Sequence, residues 1–177
     1  MTTSLFSGDV TTTTACVSIG HLIHNHKEGS VFFDETYQRK YVWGTKEQQQ
    51  LLKTIFKNLP IDAISVVIND PSSHKYIEVI DGLQRCTTLI KFTNDEFPYI
   101  TETGAEVYHS QMSDEDKREF RSIRLPMVEL SSNKGSVPIT LEQKVAYFYR
   151  KNFYGVPQSS SHKAKIENMI SQLGVEV

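Results

Sequence analysis

The chain has 177 residues, a formal charge of −2 and 38% hydrophobic residues, which is enough for one domain with a real core. A sequence pI of 6.3 excludes a globally basic, nucleic-acid-coating surface, so any basic groove is local. Two cysteines, Cys16 and Cys86, exclude a disulfide framework and fit a reducing cytosol. Residues 1–14 lack the basic and apolar regions of a secretory signal, and no run approaches the roughly 20 apolar residues of a bilayer span. The expectation is a soluble, cytoplasmic protein without membrane contact.

In chain order, residues 1–17 form a flexible tail whose threonines, Thr11 to Thr14, read as a loose or edge segment. Ser18 caps a helix with Ile19, Leu22, Ile23 and His26 on one face. Glu28-Gly29-Ser30 breaks it, Val31-Phe32-Phe33 reads as a strand, and Tyr37 to Trp43 is irregular. Thr45 with Gln48 makes a capping box for a helix from Lys46 to Leu59, with Leu51, Leu52, Ile55, Phe56 and Leu59 as its buried stripe. Pro60 stops that helix.

Two strands follow, from Ala63 to Ile68 and from Lys75 to Ile80, joined by a wide loop as an antiparallel pair. The second runs through Asp81-Gly82 into a helix carrying Leu83, Leu89, Ile90 and Phe92. Short strands flank Thr103-Gly104, and Ser113 caps an acidic-to-basic helix through Phe120. Ile123 to Leu130 is a strand, which Pro126 assigns to a sheet edge or a bulge. Thr140 with Gln143 caps a helix striped by Leu141, Val145, Phe148 and Tyr149. Residues 158–161 are a polar hinge before a last amphipathic helix with Ile166, Met169, Ile170 and Leu173, closed by Gly174. The layout is one α+β domain over residues 18–157, a small mixed sheet flanked by helices, followed by a hinge and helix over 158–177.

The strand–Gly–helix turn carries the chemistry. Gly82 permits a tight turn, and the first helical turn then presents unpaired N–H groups to an anion. Arg85 adds a fork-shaped cation suited to phosphate, while Asp81 reads as the helix cap. The structural alternative is a capping box in which Gln84 reaches back to Asp81, with Arg85 paired to Glu78. Arg39, set between aromatic residues, reads as stacking on Tyr41 or Trp43. His21, His24 and His26 lack the companion ligands of a metal site and read as a solvated face. Cys86 reads as a small buried helix residue.

Three ordered segments resemble the N-terminal domain of GmrSD-type, modification-dependent restriction enzymes. They are Tyr37-Gln38-Arg39 with Tyr41 and Trp43, Asp81-Gly82-Leu83-Gln84-Arg85 with Thr87-Thr88-Leu89, and Phe148 through Asn152 with Gly155, Val156 and Pro157. The second is similar to a D-G-Q-Q-R-x-T-T-L signature, with Leu83 in place of a glutamine. The resemblance implies a ParB/sulfiredoxin-like fold and a domain that binds, and slowly hydrolyses, NTP or dNTP with Mg²⁺. It implies Asp81 and Arg85 as catalytic residues and Gln38, Arg39, Gly82, Gln84, Arg85, Thr87 and Asn152 around the phosphates. Sulfiredoxin-like relatives use a cysteine near this loop, but there it precedes a His-Arg pair, unlike Cys86. The 177 residues hold no His-Asn-His-type nuclease segment, so DNA cleavage is not expected of this stand-alone unit.

Two other functions fit the same residues. One is a non-catalytic DNA-binding module in which Lys40, Arg118, Arg121 and Arg124 extend the arginine path. The other is a decoy or inhibitor that works through protein contact in phage–host defence. The last helix offers a face for a partner or a second copy, with packing on its own domain as the ordinary alternative.

Overall fold

The computed structural model describes residues 10–69, 75–132, 138–153 and 160–174. Its strands are β1 (Val10–Ser18), β2 (Val31–Phe33), β3 (Ile64–Ile68), β4 (Ile77–Asp81), β5 (Tyr99–Ile100), β6 (Glu106–Val107) and β7 (Arg124–Ser132). The helices are α1 (Ile19–Lys27), α2 (Thr45–Phe56), α3 (Leu83–Thr93), α4 (Asp114–Ser122), α5 (Leu141–Phe153) and α6 (Ser160–Leu173).

Five strands form one mixed sheet in the order β1-β7-β3-β4-β2, and β5 with β6 makes a separate hairpin. The antiparallel β3–β4 pair is as the sequence predicts. Strand alternation divides the core between the two faces of this sheet. Val66 and Val79 pack with Leu22, Leu52, Leu89, Phe92 and Phe120 from α1 to α4. Val67, Ile80 and Leu130 pack with Val145, Phe148, Ile166 and Ile170 from α5 and α6. Because β3 and β4 are covered on both sides, their residues are buried almost without break, Ser65 and Glu78 included.

The differences from expectation have local causes. Residues 10–17 are most of edge strand β1, so the edge alternative for Thr11 to Thr14 holds and the tail does not; the strand pairs along its length with β7, where β-branched threonines suit an exposed pleated surface. Pro126 lies on an interior strand, between β1 and β3. It is tolerated because β3 pairs only with Met127 to Leu130, so Pro126 faces β1 alone, at Cys16. The α2 cap sits one residue early: Glu47 accepts the N–H of Gly44 at 3.1 Å, while Gln48 donates to the Tyr41 hydroxyl at 3.0 Å. That helix ends at Phe56, and Asn58, at φ 51°, turns the chain so that Leu59 is exposed. The other caps hold, with Ser18, Ser113 and the Thr140/Gln143 pair each closing their helices.

Ser160 and Ser161 belong to α6 rather than to a hinge; the rest of that segment, Gln158 and Ser159, lies outside the described residues. The apolar stripe of α6 is spent on its own domain, with Ile166 and Ile170 buried in the second core face. Among the described residues no helix is long and apolar enough to cross a membrane.

A buried histidine gives the fold a pH signature. His109 packs its ring against Phe92 and Phe120, at 5.7 and 5.9 Å between centroids, and its Nε2 has no hydrogen-bond partner among the described residues. Burial lowers its pKa, reinforced by the Arg121 guanidinium, so the folded state prefers the neutral ring. Its contribution is therefore complete above the unfolded-state value of about 6.5 and is lost as pH falls below it. Thermal melts between pH 7.5 and 5.5 are expected to show a falling midpoint in the wild type and a flatter profile in His109→Phe.

Candidate functional site

The turn between β4 and α3 is built on Gly82, whose φ of 116° lies outside the range L side chains adopt readily. A Cβ there would sit 2.6 Å from Ile64 Cγ2, so β3 packs directly against the turn. Gly82 is also the N-cap of α3 and supplies no side-chain cap, which leaves the amides of Leu83, Gln84 and Arg85 at a bare helix N-terminus. Asp81, expected as the cap, ends β4 instead and turns to cations. Its Oδ2 accepts Arg85 Nη2 at 3.1 Å and lies 3.4 Å from Lys151 Nζ on α5.

Arg85 pairs with Asp81 and not with Glu78; its Nη1 donates to the Asp62 carbonyl at 2.5 Å. Glu78 is taken by Lys144 of α5 at 2.6 Å. Lys151 also donates to Ser65 Oγ at 2.7 Å, and that hydroxyl lies 3.0 Å from the Tyr147 hydroxyl. Lys144 and Lys151 stand seven residues apart, two turns of one helix face, and each neutralises a carboxylate on β4. The sequence reading missed both lysines and Asp62; the seven-residue lysine spacing beside an apolar stripe was the available signal.

The two Gln-Arg pairs converge, with divided labour. The glutamines tie backbone: Gln38 is buried and donates to the Val79 carbonyl at 2.6 Å, and Gln84 holds residues 40–43. Its Oε1 accepts from Val42 and Trp43, and its Nε2 donates to the Lys40 carbonyl at 2.9 Å. The arginines line an open cleft of about 260 Å³ together with Gln38, Gln84, Asp62, Asp81, Gly82, Leu83, Trp43 and Phe148. Arg39 is exposed there and makes no ion pair or ring stack among the described residues; the cation near Tyr41 is Lys91.

Two expected residues do not line the cleft. Thr87 lies outside it, and Thr88 is the threonine with a local task, bonding the Gln84 carbonyl and the Tyr41 hydroxyl. The Asn152 side chain donates to the Phe148 carbonyl one helical turn back. Gly155, Val156 and Pro157 lie outside the described residues. Burial drives the Cys86 thiol up to about 12, so it is neither thiolate nor nucleophile near neutral pH. Iodoacetamide is expected to alkylate one thiol of the native protein, the exposed Cys16, and both after unfolding, as read by mass spectrometry.

No match was found among curated proteins. Among solved structures, one described as the C2221 form of a Pnob8-like ParB-N domain aligns with a TM-score of 0.44 at 12% identity. That alignment covers 94% of this chain and 47% of the other, so the chain spans about half of that structure. The family model for the GmrSD restriction endonuclease, N-terminal domain, matches residues 19–173, which takes in all six helices and every strand but β1. The chain belongs to the GmrSD N-terminal domain family.

Proposed function

We propose that this domain binds a nucleoside triphosphate, seating its phosphates on the bare N-terminus of α3, and hydrolyses it slowly. The carrying observation is that this uncapped terminus opens on a cleft whose free cation is Arg39. Backbone N–H donors, the helix dipole and a guanidinium together favour a polyanion. Arg85 spends two N–H groups on Asp81 and Asp62, and its remaining donors are available to the ligand. Lys151 keeps Asp81 compensated when Arg85 leans toward phosphate, which makes Asp81 chiefly the residue that orients Arg85.

At about 260 Å³ the cleft is smaller than pockets that engulf a drug-sized ligand, so it takes phosphates and leaves sugar and base at the rim beside Trp43. Among the described residues no group of three or more His, Cys, Asp or Glu could hold a resident metal. Asp62 and Asp81 nevertheless suit an ion carried in on phosphates, since Mg²⁺ needs only one or two carboxylates beside them. When bound, Mg²⁺ would neutralise charge building on the phosphates.

A DNA-binding module would have to join cations that sit on separate elements of the described fold. Arg118 and Arg121 ride on α4, whose Phe120 contacts Phe92 near the far end of α3, and Arg124 donates to Cys16 on β1.

The test is thermal shift with NTPs and dNTPs, with and without Mg²⁺, alongside quenching of Trp43, the one tryptophan in the chain. Ligand at a hundred times its dissociation constant adds about 2.7 kcal/mol, or about 5–10 °C for a domain of this size. Arg39→Ala is the diagnostic variant, because it leaves every described ion pair intact. It is expected to melt like the wild type alone and to lose most of the nucleotide shift. No shift with any nucleotide, or an undiminished one in Arg39→Ala, refutes the proposal.

A further inference from the structure

A second cavity, of about 510 Å³, lies away from the cleft, between α2, α3, α4 and the β5–β6 hairpin. We propose that it is a binding site for a small organic cation with an apolar body.

Four aromatic residues line the cavity: Phe56 and Tyr99 are open to it, and the buried Phe92 and Phe120 pack behind them. Phe56 is the centre of this group, with ring centroids 4.7 Å from Tyr99, 5.9 Å from Phe120 and 6.1 Å from Phe92, yet it remains 38% exposed. The periodicity of α2 assigns Phe56 to the core, so its exposure marks an apolar wall left open. The volume falls within the 300–1,000 Å³ of ordinary small-molecule sites.

Charge selects the ligand. Asp116 and Glu119, three residues apart on one face of α4, also line the cavity, and no Lys or Arg does. Neither forms an ion pair among the described residues. The nearby lysines are committed elsewhere, Lys57 to Glu102 and Lys117 to the Ser110 carbonyl. Asp116 accepts the Ser113 hydroxyl at 2.6 Å, a contact that supplies no counter-ion. Aromatic rings present negative faces to cations, so the apolar wall and the carboxylates favour the same ligand and disfavour anions. Phe92 stands nine residues beyond Leu83, about 14 Å along α3, which separates this site from the phosphate cleft.

The probe is benzyltrimethylammonium, with benzoate as the anionic control at matched ionic strength, followed by ¹H–¹⁵N chemical shifts. The ammonium is expected to give saturable shifts at Tyr99, Val107 and Met112, and benzoate none. The exposed double variant Asp116→Asn/Glu119→Gln keeps the acceptor for Ser113 and is expected to bind the ammonium about fivefold more weakly, the scale of a partly solvated ion pair. Equal binding of benzoate, no saturable ammonium shifts, or unchanged affinity in the folded double variant would each overturn the assignment.

Discussion

Lys144→Met is expected to destabilise the domain by about 3–5 kcal/mol at neutral pH, the cost of leaving one member of a buried ion pair without its counter-charge. Glu78 is 4% exposed on interior strand β4, and its carboxylate meets Lys144 Nζ at 2.6 Å. The nearby Tyr37 phenol offers no counter-charge: it is fully buried, and burial with the Glu78 and Asp34 carboxylates holds its pKa far above the usual range. The double variant Glu78→Met/Lys144→Met is expected to recover most of the loss, because an apolar pair of similar volume carries no desolvation cost. Urea unfolding of the wild type, both single variants and the double variant completes the cycle. If Lys144→Met costs under about 1 kcal/mol, the pair behaves like a solvated one and α5 is held by its apolar stripe and its other polar contacts.

That cycle bears on the site as well as on stability. Lys144 and Lys151 fasten one face of α5 to β4 at Glu78 and Asp81, so the pair fixes the helix that compensates Asp81 beside the cleft. A weakened Lys144 contact should loosen Lys151, then Asp81, and so the orientation of Arg85. Stability and ligand binding are thus linked through two lysines on one helix.

Neither lysine stood out in the sequence, and the reason is general. Local devices were legible: the caps at Ser18, Ser113 and Thr140, the β4–Gly82–α3 turn, and the stripe of α6 all depend on neighbours within a few residues. Convergence of Gln38-Arg39 on Gln84-Arg85 came from motif resemblance, which spacing alone would not supply. What stayed hidden was pairing across the chain. Alternation says which residues share a face of a strand but not which strand lies beside it, so β7 looked like an edge although β1, 108 residues earlier at the Cys16–Arg124 contact, covers it. Arg85 likewise has acidic residues at both i−4 and i−7, and only the turn at Gly82 decides that Asp81 is the one in reach.

At that turn lies the second large effect: Gly82→Ala is expected to cost about 2–6 kcal/mol. Two contributions add. A non-glycine residue held at φ 116° carries about 1–3 kcal/mol of backbone strain. The new methyl would also meet Ile64 Cγ2 at 2.6 Å and Ile64 Cβ at 3.0 Å, a clash with an interior strand that costs about 1–3 kcal/mol more. Ile64 is 2% exposed and pairs with Met127 of β7, so it has little freedom to retreat. Relief comes most readily by shifting the turn, which moves the amides of residues 83–85 relative to Arg39. Nucleotide binding should therefore fall even at temperatures where Gly82→Ala remains folded. Urea unfolding with an unchanged m-value would assign the loss to the native state. A cost below about 1 kcal/mol would mean that the turn tolerates a side chain, and the bare helix terminus would lose its explanation.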